Sequence, residues 1–76
     1  MKEKTPPKGA QAALRAIRLL KLFTIEKPDL SLTQVSLGAD LNKTTTHRLL
    51  RALESENLVQ RNSMNGRYSL GAGLMA

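Results

Sequence analysis

Between Ser31 and Asn42 the chain has room for one short helix and little else. Ser31 is a strong N-cap, and Gln34, three residues on, completes the reciprocal side-chain and backbone pairing of a capping box. Asn42 is a second good N-cap, and it opens another helical pattern, KTTTHRLLRALES. The first of these helices spans about Leu32 to Ala39, with Gly38 and Asp40 marking its end and Leu41 as an apolar plug before the next. The second runs to about Glu56, where Asn57 can take the left-handed conformation that stops a helix. A short helix, a tight turn and a longer helix make a helix-turn-helix.

The flanking sequence fits around that pair. Pro28 and Asp29 interrupt whatever comes before. From about Gly9 to Glu26 the periodicity is helical, with Ala10, Ala13, Leu14, Ile17 and Leu20 on one side. Ala12, Ala16, Leu19 and Phe23 widen the apolar arc beyond the ~100° stripe that covers one core. Either part of this helix packs on a second copy of the chain, or its Ala and Leu residues serve helix propensity alone. After Asn57 the pattern shortens. LVQR (58–61) and RYSL (67–70) are candidate strands, and Asn65-Gly66 between them is a hairpin signal, since both residues tolerate positive φ. A further strand paired with this hairpin would come from around Leu30.

The fold class expected is mainly α with a small β-hairpin: a winged helix-turn-helix with a three-helix core plus wing, over residues 9–70. Residues 1–8, with Pro6, Pro7 and three lysines, read as a flexible basic arm. Residues 71–76, GAGLMA, read as the start of a linker helix.

Composition narrows the function. Lys and Arg outnumber Asp and Glu by 12 to 6, so a net charge of +6 sits on 76 residues and favours a polyanionic partner. Only Phe23 and Tyr68 are aromatic, too few for the stacking platforms of single-strand binders. There is no Cys and a single His, which excludes thiolate and polyhistidine metal sites. No carboxylate pair beside a nucleophile, no glycine-rich phosphate loop and no metal cluster is present, so no enzymatic activity, cofactor or metal is expected. No apolar run approaches the ~20 residues of a membrane span. MKEKTPPKG lacks the apolar core of a secretory signal, and a cytoplasmic protein is expected.

A wheel at ~100° per residue divides the longer helix. Thr46, Leu49, Leu50 and Leu53 share a core face; Thr44, His47, Arg48, Arg51 and Ser55 share the opposite one. No acid lies on that second face, with Glu54 and Glu56 at its flanks. A face built for solubility alone mixes signs to form i,i+4 pairs. This one presents donors and positive charge, as a surface meeting phosphates and base edges does. The three threonines stand where a helix N-terminus attracts phosphate. Thr44 is expected in the groove, Thr45 on the flank and Thr46 in the core; Thr44 and Thr45 otherwise serve only to cap the helix. Arg51 can read a guanine through O6 and N7 or clamp a phosphate. Arg48 meets DNA or pairs with Glu54 or Asp40; His47 is a neutral donor; Lys43 is a phosphate contact. In the wing, Arg61 and Arg67 flank the turn and either reach phosphates or a minor groove, or are simply solvated. Tyr68 is expected on the core with its hydroxyl at the surface.

These residues also resemble a family. AIRLLKLF, then LSLTQVSLGADLNKTTTHRLLRALESENLV, then RYSLG, is similar to the N-terminal winged helix-turn-helix of IclR-type bacterial transcription regulators, over about residues 10–76. Asn42 stands where the family often has Pro and Asn57 where it often has Gly; both are good caps. The resemblance implies a homodimer on a palindromic operator, with the longer helix in the major groove and the wing beside it. It implies a regulator, usually a repressor, whose small-molecule effector acts through a C-terminal domain absent from this sequence. The expected function is sequence-specific binding of double-stranded DNA. The rival readings are a winged-helix protein–protein module, which needs an apolar patch on the longer helix, and a double-stranded RNA binder.

Overall fold

A computed structural model describes residues 10–74. The elements follow in the order α1 (Gln11–Leu20), β1 (Asp29–Leu30), α2 (Leu32–Ala39), α3 (Lys43–Ser55), β2 (Val59–Arg61) and β3 (Tyr68–Leu70), then a single 3₁₀ turn, Ala72–Leu74. The three strands form an antiparallel sheet in the order β1-β3-β2, so the strand expected near Leu30 is present and pairs with the hairpin. The basic arm lies outside the described residues, as do the last two residues of the linker segment.

Helix boundaries follow from local chemistry. The Ser31 hydroxyl accepts from Gln34 N at 3.1 Å while Gln34 Oε1 accepts from Ser31 N at 2.8 Å, which closes the capping box at the front of α2. Helices α2 and α3 then stop in the same way. Asp40 (φ 57°) follows α2 and Asn57 (φ 64°) follows α3, the two non-glycine residues at positive φ among those described. In each case the next residue bonds five back, Leu41 N to Ser36 O and Leu58 N to Leu53 O. The left-handed residue itself bonds three back, to Leu37 O or Glu54 O. This is the Schellman arrangement, and it turns the chain sharply while pairing carbonyls that the helix leaves open.

Helix α1 is shorter than its periodicity suggests, ending at Leu20 rather than near Glu26. Leu22 N and Phe23 N bond to Leu19 O and Leu20 O, the tighter spacing of a closing 3₁₀ turn. Thr24 and Lys27 then exchange backbone bonds in both directions, and Thr24 Oγ1 accepts from Lys27 N as well. The chain leaves the helix early in order to reach β1. Phe23 stays in the core although it has left the helix.

The core draws on all three helices and all three strands: Leu19, Phe23, Leu30, Val35, Leu50, Leu53, Val59 and Tyr68 are all buried together. Each such side chain contributes about 1.5–3 kcal/mol when fully covered. Among the described residues no buried side-chain nitrogen or oxygen lacks a partner, so the Tyr68 hydroxyl, which has none among them, reaches solvent.

The wing loop differs from expectation. Asn65-Gly66 is not a two-residue turn: Asn62 N bonds to Arg67 O and Gly66 N to Asn62 O, leaving a four-residue loop in which only Gly66 has positive φ (74°). The Asn62 side chain accounts for this, because its Oδ1 accepts from Met64 N at 2.8 Å and Asn65 N at 3.3 Å and so substitutes for a backbone turn. Past β3, Gly71 N and Gly73 N donate to Leu58 O and Asn57 O at 2.8 and 2.7 Å. A Cβ on Gly71 would stand 2.4 Å from the Asn57 carbonyl oxygen, so only glycine allows this approach. Gly71→Ala is expected to destabilise the fold by about 1–3 kcal/mol. In a domain of this size each such kilocalorie lowers the melting temperature by about 4–8 °C, which thermal denaturation followed by circular dichroism would register.

Candidate nucleic-acid interface

The interface candidate is built at the front of α3. Asn42 stands there in extended conformation (φ −72°, ψ 164°), and its Oδ1 accepts from Thr45 N at 2.7 Å. Its carbonyl oxygen accepts twice from Thr46, from the backbone N at 3.0 Å and from Oγ1 at 2.8 Å. The backbone N–H groups of Lys43 and Thr44 have no acceptor in the first turn, and no acid lies there to compete for them. They carry the positive end of the helix dipole into solvent.

The three threonines are sorted by depth. Thr44 is exposed, Thr45 half-buried, and Thr46 fully buried with its hydroxyl satisfied by Asn42. Leu50 and Leu53 continue the buried face, with Leu49 half-buried beside it. On the other side Lys43, His47, Arg48 and Arg51 are all exposed, and none of them takes part in an ion pair among the described residues. Arg48 therefore does not pair with Glu54 or Asp40. Ser55 closes the stripe but turns inward to its own helix, its Oγ donating to Ala52 O at 2.6 Å. The structure thus brings five of the eight sequence-derived contact residues (Lys43, Thr44, His47, Arg48 and Arg51) onto one open face, with Thr45 at its edge.

The wing holds the other two. Arg61 is exposed at the end of β2, and its guanidinium lies over Gly66, 3.3 Å from where a Cβ would project. Arg67 departs from the solvated or groove-facing position expected of it. It is half-buried at the root of the wing, with Nε donating to Asp29 Oδ1 at 2.6 Å and a terminal nitrogen donating to Asp29 O at 3.1 Å and Gln34 Oε1 at 3.2 Å. An ion pair this exposed contributes about 1 kcal/mol or less to stability. Two parts of this surface escape a reading of the sequence. Asp29 reads there as a turn former and Gln34 as a capping residue, and the link between them is carried by Arg67, far along the chain. The wing tip is the other: Asn62, Ser63, Met64 and Asn65 are exposed, and Asn65 Oδ1 accepts from Arg67 N at 2.9 Å. The clustering of short polar residues there was the available signal.

Among the described residues no group of His, Asp and Glu is placed to hold a metal, and no helix is long and apolar enough to cross a membrane.

A buried helix face, an open basic face, a capped and unneutralised N-terminus and a hairpin alongside define the winged helix-turn-helix class of DNA-binding domain. Comparison with known proteins agrees. The IclR helix-turn-helix domain family matches residues 12–63, and the chain belongs to that family of transcription regulators. It is 35% identical over 65 residues to the transcriptional regulator XynR of Escherichia coli K12, covering 86% of this chain and 26% of that protein. It is 37% identical over 71 residues to the transcriptional repressor AllR of Klebsiella pneumoniae, covering 93% of this chain and 26% of the relative. Among solved structures, an IclR-family regulator from Rhodococcus sp. superposes with a TM-score of 0.82 at 31% identity, over 99% of this chain and 29% of that one. The chain therefore spans about a quarter of the length of the curated relatives it matches. These relatives are transcription regulators rather than enzymes.

Asn42→Ala is expected to cost about 1 kcal/mol of stability through the lost bond to Thr45 N, a loss that urea denaturation would measure. The two bonds from Thr46 reach the backbone carbonyl and survive that substitution, so the helix should shift its midpoint without changing its slope in denaturant.

Proposed function

We propose that α3 enters the major groove of a palindromic operator and that two copies of the chain occupy half-sites about one helical turn, ~34 Å, apart. The observation that carries this reading is the open stripe of Lys43, Thr44, His47, Arg48 and Arg51, with no acid between Lys43 and Arg51 and, among the described residues, no ion pair, beginning at helix N–H groups without an acceptor there. Arg51 reads a guanine through its planar fork, Lys43 binds phosphate, and Thr44 and Thr45 bring hydroxyl and methyl groups to the backbone and to thymine. His47 and Arg48 complete the contact set, and Arg61 meets the duplex from the wing.

The dimer reading is supported by α1, where Ile17 is 52% exposed and Ala12 and Ala13 are exposed beside it. By contrast, the outer face of α3 offers no large apolar side chain, which counts against a protein–protein module at this face. The protein would act in the cytoplasm, as a repressor in the manner of AllR. Control by a small-molecule effector would belong to a separate C-terminal domain, as the family resemblance implies.

Selection from random duplex DNA is expected to enrich an inverted repeat; recovery of no sequence preference would sink the operator reading. On the selected site, Arg51→Ala should cost about 1–3 kcal/mol and relax preference at one base position, whereas Lys43→Ala should weaken all sequences alike. Affinity should fall with salt at a log–log slope near −0.9 for each phosphate neutralised, and a duplex of RNA should compete poorly at equal salt. Ile17→Asp should lower the sedimentation coefficient of a dimeric chain toward that of the monomer, and an unchanged value would remove α1 from the interface.

A further inference from the structure

Arg67 is the cation of this surface that is already occupied. Its partners belong to different parts of the fold: Asp29 opens β1, and Gln34 lies in the first turn of α2. Gln34 Oε1 accepts from Arg67 and from Ser31 N at once, so the atom that caps α2 also receives the root of the wing. The backbone ladder at this junction is short. Strands β1 and β3 pair through two residues each, Asp29 with Ser69 and Leu30 with Tyr68. A ladder of that length is a weak constraint on direction.

The wing beyond the root is internally stiff. Asn62 holds Met64 N and Asn65 N, Asn65 holds Arg67 N, and the hairpin closes through Asn62 N to Arg67 O. Its strands are seated in the core through Val59 and Tyr68, and beyond those residues the direction of the hairpin is set where it is tied. The tie carries a cost in charge. Arg67 joined to Asp29 gives up its share of attraction for a polyanion, and an ion pair so exposed returns little to the stability of the fold.

We propose that Arg67 is a positioning residue. With Asp29 and Gln34 it fixes the angle of the wing against the helix-turn-helix, and so determines which flanking stretch of duplex the exposed tip, Arg61 and Asn62 to Asn65, reaches. The proposal rests on the DNA-binding reading above. It differs from a direct contact role for Arg67 in the sign of one effect. If Arg67 were a phosphate ligand, removal of Asp29 would release a cation, delete an acid and tighten binding. If Arg67 orients the wing, removal of Asp29 loosens the root and weakens binding as removal of Arg67 does.

The test uses the 76-residue chain with a duplex enriched from a random-sequence library, read by fluorescence anisotropy and hydroxyl-radical footprinting. Asp29→Ala and Arg67→Ala are each expected to weaken binding by about fivefold, and the double variant to be no weaker than either, as for two residues sharing one interaction. Protection should fade on the flanks and persist at the centre of each half-site, a pattern that a general loss of folding would not produce. Asp29→Asn keeps the shape and removes the charge, and it reads the same quantities should the alanine variant fold poorly. Tighter binding by the Asp29 variants, or flanking protection unchanged in both single variants, would overturn the proposal and leave the DNA reading intact. Failure of the unaltered chain to enrich any duplex would overturn both.

Discussion

The carbonyl oxygen of Asn42 ties the front of α3 to the core. It takes the Thr46 backbone N–H and the Thr46 hydroxyl together, while the Asn42 side chain holds Thr45. A polar side chain is thereby admitted to the core without an unsatisfied group, which would otherwise cost about 1–3 kcal/mol. With Thr46 seated inside, the helical repeat turns Thr44, Arg48 and Arg51 to the outside. The rotation of α3 about its own axis, and hence the make-up of its open face, follows from the burial of Thr46 together with Leu50 and Leu53.

Much of this was legible because it is local. The capping box at Ser31, the cap at Asn42 and the stop at Asn57 each depend on residues within a few positions, and each forms as the sequence implies. The inward and outward faces of α3 follow from the repeat of the helix, and the burial of Thr46, Leu50 and Leu53 agrees with them. The strand near Leu30 was accessible as a constraint of topology, since a hairpin edge in so small a domain had few other partners.

What was not legible is either nonlocal or a competition between near-equal local options. The end of α1 depends on where β1 must begin, and apolar periodicity through Phe23 carries no information about that. Asn65-Gly66 suits a two-residue turn, yet Asn62 offers its own side chain to the loop and wins with two bonds. Arg67 looked like its neighbour Arg61 because both are basic and flank the same turn. Only the pairing of β1 with β3 brings Asp29 within 2.6 Å of one of them and separates a tethered cation from a free one.

The close seating of Gly71 and Gly73 on the end of α3 has a mechanical meaning. The chain leaving the sheet passes over the carbonyls of Asn57 and Leu58, at the stop of α3. Residues 71 to 73 and the stop of α3 are thereby joined backbone to backbone, so a displacement of either one is passed directly to the other.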